Sequence, residues 1–217
     1  MNPRQPHASP PTAGVNRPSA YHHGDLRRAL VEAALALVTE EQNWDFSLRE
    51  VARRAGVSHN APYRHFPEKR VLLAALAAAG FEALRARLAS AAAEAEGPEA
   101  ALVAIGVAYI RFGTENPARY RLIFGSVLLA PGTGMPAVVA EAGAAAKAVL
   151  ADVVARGVRA KRFAVSAETQ AEQERLVLTA WSLVHGLTML LIDGLADDGP
   201  SIPETVARTL LDGMRKR

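Results

Sequence analysis

Ser47–Phe66 reads SLREVARRAGVSHNAPYRHF, and the rest of the chain is organised around it. Ser47 followed three residues later by Glu50 is a capping box. The serine oxygen accepts from the Glu50 N–H while the carboxylate reaches back to the Ser47 N–H. Phe46 before the cap and Val51 after it supply the matching hydrophobic staple. Leu48, Val51, Ala52 and Ala55 share one face at helical spacing, and Arg49, Arg53 and Arg54 fall on the others. Gly56 stands where a left-handed residue ends a helix. Val57 is expected to be the buried plug of the turn, and Ser58 to cap a second short helix ending near His65. Two short helices joined by a tight glycine turn form the helix-turn-helix plan. A core hairpin has little reason to carry Ser58, His59, Asn60, Tyr63, Arg64 and His65 so close together, so the pattern favours a reader of DNA.

Outward from this stretch the helical period continues. Leu26, Leu30, Ala33, Ala34, Leu37 and Val38 mark a first helix from Asp25 to about Glu41, and Asn43-Trp44-Asp45 breaks it. Asp25 sits near its positive N-terminal end, and Trp44 and Phe46 are expected to seal it against the helix-turn-helix. Pro67 suits the first position of a helix running to about Ala95. Further helices are expected over Pro98–Glu115, Ala118–Leu129, Pro136–Val158, Ser166–Leu195 and Ser201–Met214, with Ser166 and Ser201 as caps. No period-2 strand is present, so the chain reads all-α with about nine helices.

Composition sets the bounds. The 217 residues are 50% hydrophobic, enough for a sizeable core, and contain no cysteine. That excludes disulfides, a thiol nucleophile and a cysteine zinc site, and it suits the cytoplasm. The net charge of +3 is too mild to argue for nucleic acid. Tyr21–Arg70 carries eight Lys/Arg against seven Asp/Glu, so DNA affinity must come from a few well-aimed groups. Residues 1–20 are rich in Pro, Ser, Asn and Gly, carry Arg4 and Arg17, and read as a disordered basic arm.

From Tyr21 to Leu76 the sequence resembles the N-terminal domain of TetR/AcrR-type transcriptional regulators. The matching pieces are HHGDLRRALVEAALALVTEE, FSLREVARRAGVS and APYRHFPEKRVLLAAL. Tyr63-Arg64-His65-Phe66 followed by Lys69 is the most specific part. YIRFGTENPARYRLIFG and WSLVHGLTMLLIDG resemble the C-terminal domain of the subgroup called WHG-type, after Trp181, His185 and Gly186. The resemblance implies a three-helix DNA-binding domain at 21–69, followed by a helical ligand-binding and dimerisation domain at 70–217. It implies a ligand-released repressor that binds a near-palindromic double-stranded operator. Ser47, Tyr63, His65 and Lys69 would meet phosphates, whereas His59, Asn60 and Arg64 would meet base edges. Pro62 departs from the family, which more often has an aliphatic residue there. Proline is tolerated only in the first helical turn, which argues for a helix start later than Ser58 and unsettles the role of His59.

Symmetric operators require a symmetric protein. The two C-terminal helices are expected to pair with their copies, because the uncharged run Leu176–Ile192 has more apolar surface than one chain covers. That run is at the short end of a membrane span. It holds Thr179, Ser182, His185, Gly186 and Thr188, and reads as a helix between core and partner subunit rather than a span. Gly132-Thr133-Gly134 with Asp152 fits a loose dinucleotide fingerprint, but no strand precedes it and Asp152 falls inside a helical run. No cofactor is expected. Adjacent His22 and His23 cannot share a helix face, so no metal site is expected either, and no catalytic constellation emerges. Phe81, Tyr109, Phe112, Tyr120, Phe124 and Trp181 should point inward, with His185 and Thr188 offering polar groups. They are candidates for a mostly apolar effector pocket. The competing classes are a sequence-nonspecific helical DNA binder, disfavoured by the modest charge, and a helical enzyme.

Overall fold

The computed structural model describes residues 23–128, 134–163, 169–197 and 199–215. The basic arm, Ser166 and the first part of the fingerprint at Gly132-Thr133 lie outside these residues. Eight α-helices make up most of the described chain: α1 His23–Glu41, α2 Leu48–Arg54, α3 Lys69–Glu94, α4 Gly97–Glu115, α5 Pro117–Phe124, α6 Ala137–Arg159, α7 Gln170–Ile192 and α8 Ile202–Met214. Two 3-10 turns, Pro62–Arg64 and Ser126–Leu128, complete it. Among the described residues no sheet forms, and one isolated antiparallel bridge joins Phe163 to Arg215.

Most boundaries follow from local chemistry. The capping box at α2 is complete: the Glu50 N–H donates to Ser47 Oγ at 3.2 Å and the Ser47 N–H donates to Glu50 Oε2 at 3.4 Å. Asn116 ends α4 by donating from Nδ2 to the Phe112 carbonyl at 3.1 Å, and Pro117 opens α5. Gly56 takes φ +68°, which closes α2 without a side-chain clash.

Four local expectations are corrected. A helix capped at Ser58 would need the Pro62 N–H to reach the Ser58 carbonyl, and proline has none. The Ala61 N–H takes that carbonyl instead, at 2.9 Å, and only the 3-10 turn Pro62–Arg64 forms. This turn stands where the ninth helix was expected. Val57 is half-buried rather than a buried plug. Pro67 lies before the N-cap of α3, Glu68, rather than inside the helix. Ser201 sits in the helical region at φ −86°, ψ −14°, with no side-chain capping bond, because Pro203 inside the first turn already removes one N–H that would need a partner. α7 opens with a capping box of its own, Thr169 with Glu172.

α1, α2 and the Pro62 turn form a head around Leu30, Phe46, Val51 and Phe66, all nearly inaccessible to solvent. Arg54 on α2 holds Glu40 on α1 with both guanidinium nitrogens. α3 continues from the head into the body, where it packs most extensively on α6 and α4. α7 and α8 pack on α4. α7 is long and apolar enough to cross a membrane by length and composition alone. One of its faces packs in the body through Val177, Ala180, Val184 and Thr188, while Leu178, Leu183 and Leu190 are exposed. Asp152 lies inside α6, 2.9 Å from Arg156 Nε, with no strand beside it.

Candidate nucleic-acid interface and interior cavity

The head exposes several polar side chains. Ser47 stands exposed at the start of α2, and Ser58, His59 and Asn60 are exposed in the turn after Gly56. Tyr63 is 46% exposed, a large fraction for an aromatic ring in so small a unit. Arg64 beside it is exposed and His65 is half-buried. The turn that carries them is held by bonds from the His65 and Phe66 N–H groups to the Pro62 carbonyl, at 2.9 and 2.8 Å, and by burial of Pro62 and Phe66. Lys69, the first residue of α3, places its ammonium 5.1 Å from the centre of the Phe46 ring, a cation–π distance. The eight expected DNA-contact residues therefore share this small head, with Ser58, His59 and Asn60 in a turn rather than a helix.

The body holds a cavity of about 360 Å³ between α3, α4, α5, α6 and α7. Phe81, Leu84 and Leu88 of α3 line one side, Leu102, Ile105 and Tyr109 of α4 another. Phe124, Trp181 and Val184 come from α5 and α7, and Gly143, Ala144, Ala146, Lys147 and Leu150 from α6. Of the expected pocket residues, Phe81, Tyr109, Phe124 and Trp181 line this cavity. Phe112, Tyr120, His185 and Thr188 do not, and pack in or behind its wall. Thr188 donates to the Val184 carbonyl at 2.6 Å and also lies against the Tyr120 hydroxyl, behind the wall.

Behind the wall runs a polar network. Trp181 Nε1–H donates to Tyr109 Oη at 3.1 Å and Tyr120 Oη–H lies 3.0 Å from the same oxygen. His185 Nδ1 is 2.6 Å from Tyr120 Oη and 3.2 Å from Tyr109 Oη. Burial holds His185 below the usual histidine range, so a neutral ring whose Nδ1 accepts from a tyrosine fits the network. Burial also pushes the Tyr109 phenol up to about 12 and the Tyr120 phenol higher still, the latter with help from Tyr109. All four groups thus stay uncharged near neutrality. Phe124 sits among them, 4.7 Å from the Tyr120 ring, 4.9 Å from His185 and 5.3 Å edge-on to Phe81, distances typical of favourable aromatic pairs.

The α6 wall went unread in the sequence. An alanine-rich helix carries no aromatic marker, although Lys147 is the only charge between Glu141 and Asp152. Gly143 on α6 faces the Phe81 ring of α3, where a Cβ would sit in ordinary contact with it at 3.4 Å.

Two family models match this chain. One, described as the tetracyclin repressor-like C-terminal domain, covers residues 102–214. The other, described as bacterial regulatory proteins of the tetR family, covers residues 30–76. The chain belongs to the tetR family. A Rhodococcus sp. RHA1 protein of unknown function is 33% identical, with 91% of this chain and 99% of that one aligned at a TM-score of 0.75. A TetR family transcription regulator from Marinobacter aquaeolei VT8 shares the fold at 17% identity and TM-score 0.63, covering 88% of this chain and 96% of that one. The regulator PfmR from Thermus thermophilus does so at 22% and 0.57, covering 84% and 94%. No curated protein matches. This tetR-family chain is a DNA-binding transcriptional regulator, with its helix-turn-helix at the N-terminus and a helical C-terminal domain.

Proposed function

We propose that the chain is a cytoplasmic, non-enzymatic repressor, released from a near-palindromic operator when an apolar effector fills the interior cavity. The observation that carries this is α3: one helix has Lys69 at the head and Phe81, Leu84 and Leu88 in the cavity wall. A ligand that pushes on those three side chains moves the helix whose first turn belongs to the DNA-facing unit. Arg70 adds a second link, donating to the Leu128 carbonyl at 3.0 Å and the Gly134 carbonyl at 3.4 Å, next to cavity-lining Met135. The organisation proposed is an arm at 1–20, a DNA-binding domain at 21–69 and an effector and dimerisation domain at 70–217.

In this reading Ser47, Tyr63, His65 and Lys69 meet phosphates, while His59, Asn60 and Arg64 face base edges, with Ser58 beside them at the start of the turn. A gel shift on the chain's own upstream region, with and without excess nonspecific DNA, tests it. Tyr63→Phe and Lys69→Ala are expected to weaken binding to specific and random DNA alike. Lys69→Ala should also reduce the salt slope by about one unit. Asn60→Ala should instead cut the ratio between the two by about 1–3 kcal/mol of discrimination. An unchanged ratio in Asn60→Ala would show that the turn does not read sequence.

The exposed leucines of α7, beside α8, are proposed to pair with the same face of a second copy. Sedimentation at micromolar concentration is expected to give twice the 23.1 kDa chain mass. A monomer that still binds a palindrome tightly would overturn the pairing.

A further inference from the structure

We propose that the effector is an amphipathic monoanion, an aliphatic or aromatic carboxylic acid whose body fills the cavity and whose carboxylate pairs with Lys147 at its mouth. This rests on reading the cavity as the effector site. Among the described residues Lys147 is the only charged one in the lining; the other polar side-chain groups there are the Tyr109 hydroxyl and the Trp181 N–H, and these are bonded to each other. Its ammonium is held 5.8 Å from the centre of the Trp181 ring, so it borders the apolar space instead of extending freely into water. Met135, Ala144 and Lys147 are the exposed lining residues, which puts the mouth along α6 and the segment before it.

Among the described residues no acid neutralises this cation. Its helical neighbours three and four residues away are Gly143, Ala144, Leu150 and Ala151. Asp152 on the same helix is 2.9 Å from Arg156. Glu141 is six residues back, on a different face of the helix. Around Trp181 on α7 the corresponding positions are Val177, Leu178, Val184 and His185. Lys147 takes part in none of the ion pairs among the described residues. A neutral ligand leaves the cation unused and a cationic one meets like charge, so an anionic end is the complement. The volume sets the size of the body. A cavity of ~150 Å³ accepts benzene; scaled to 360 Å³, that corresponds to about 14 non-hydrogen atoms.

Calorimetric titration of the full chain with decanoate, 1-decanol and decylamine tests the class. Decanoate is expected to bind about fivefold or more tighter than the alcohol, the range for an ion pair at a partly exposed site, and decylamine weakest. Raising the salt should narrow the preference. Lys147→Met should erase the difference between acid and alcohol, and Lys147→Arg should keep it. If alcohol and acid bind equally, or Lys147→Met retains the preference, the anion inference falls and the cavity reading stands. If none of the three binds while the chain still shifts its own upstream DNA, the cavity reading falls and the inference with it.

Discussion

Phe66→Ala is expected to abolish DNA binding while leaving the body folded. Phe66 is inaccessible to solvent and closes the turn that carries Tyr63 and Arg64. Its N–H bonds the Pro62 carbonyl at 2.8 Å, and the Arg27 guanidinium of α1 lies 5.4 Å from its ring centre. A helix of normal length would hold its own shape through several backbone bonds. One 3-10 turn cannot, so its position depends on the aromatic plug beneath it. Truncating a buried phenylalanine costs about 3–5 kcal/mol. For a chain of this size that is a fall of roughly 6–20 °C in melting midpoint for whichever unit loses it. The proposed dimer should persist in sedimentation, because α7 and α8 are remote from the head. Phe66→Leu keeps most of the volume and should cost under about 1.5 kcal/mol. A Phe66→Ala protein with unchanged midpoint and DNA affinity would show that the turn is held some other way.

The second large effect is expected in the body, at Gly113→Ala. Gly113 on α4 is buried where α4, α5 and α7 meet. A Cβ there would collide with Thr188 Cγ2 and lie 2.9 Å from Tyr120 Cδ2. Neither neighbour gives way easily. Thr188 is β-branched, fully buried and bonded to the Val184 carbonyl. Tyr120 is fully buried and tied to His185 at 2.6 Å. Relief requires α7 to move away from α4, which stretches the Tyr109–Trp181 bond and opens the cavity wall. Overpacking of this kind costs about 1–3 kcal/mol or more, seen as a lower melting midpoint together with altered Trp181 emission. Gly143→Ala on α6 is the control, since a Cβ there meets only the Phe81 ring, at the ordinary contact distances of 3.4–3.6 Å. Equal midpoints for the two variants would mean that the α4–α7 contact is looser than described.

Local chemistry made much of this protein legible from sequence alone. The all-helical class, the Ser47–Glu50 box, the Gly56 turn and the Asn116-Pro117 break each depend on residues within four positions of one another. Such interactions survive whatever the rest of the chain does. Even the shortened second element was signalled by Pro62, because a missing N–H is a covalent fact. Of the eight residues that the sequence offers for an interior pocket, four, Phe81, Tyr109, Phe124 and Trp181, line the cavity, and their helical spacing points them inward.

Only the tertiary structure decided the rest. Tyr109, Tyr120 and His185 converge from separations of 11 to 76 residues, and nothing in their spacing says that Tyr120 and His185 bond behind the cavity wall while Tyr109 lines it. Thr188 reads from sequence as a polar group for a ligand, but a buried hydroxyl needs a partner, and it has the Val184 carbonyl and the Tyr120 hydroxyl inside the protein. The α6 wall, with Gly143 against Phe81 and Lys147 over Trp181, is written in alanines and one lysine. Its meaning depends on which helix lies opposite, and that is settled by packing across the whole body rather than by any local pattern.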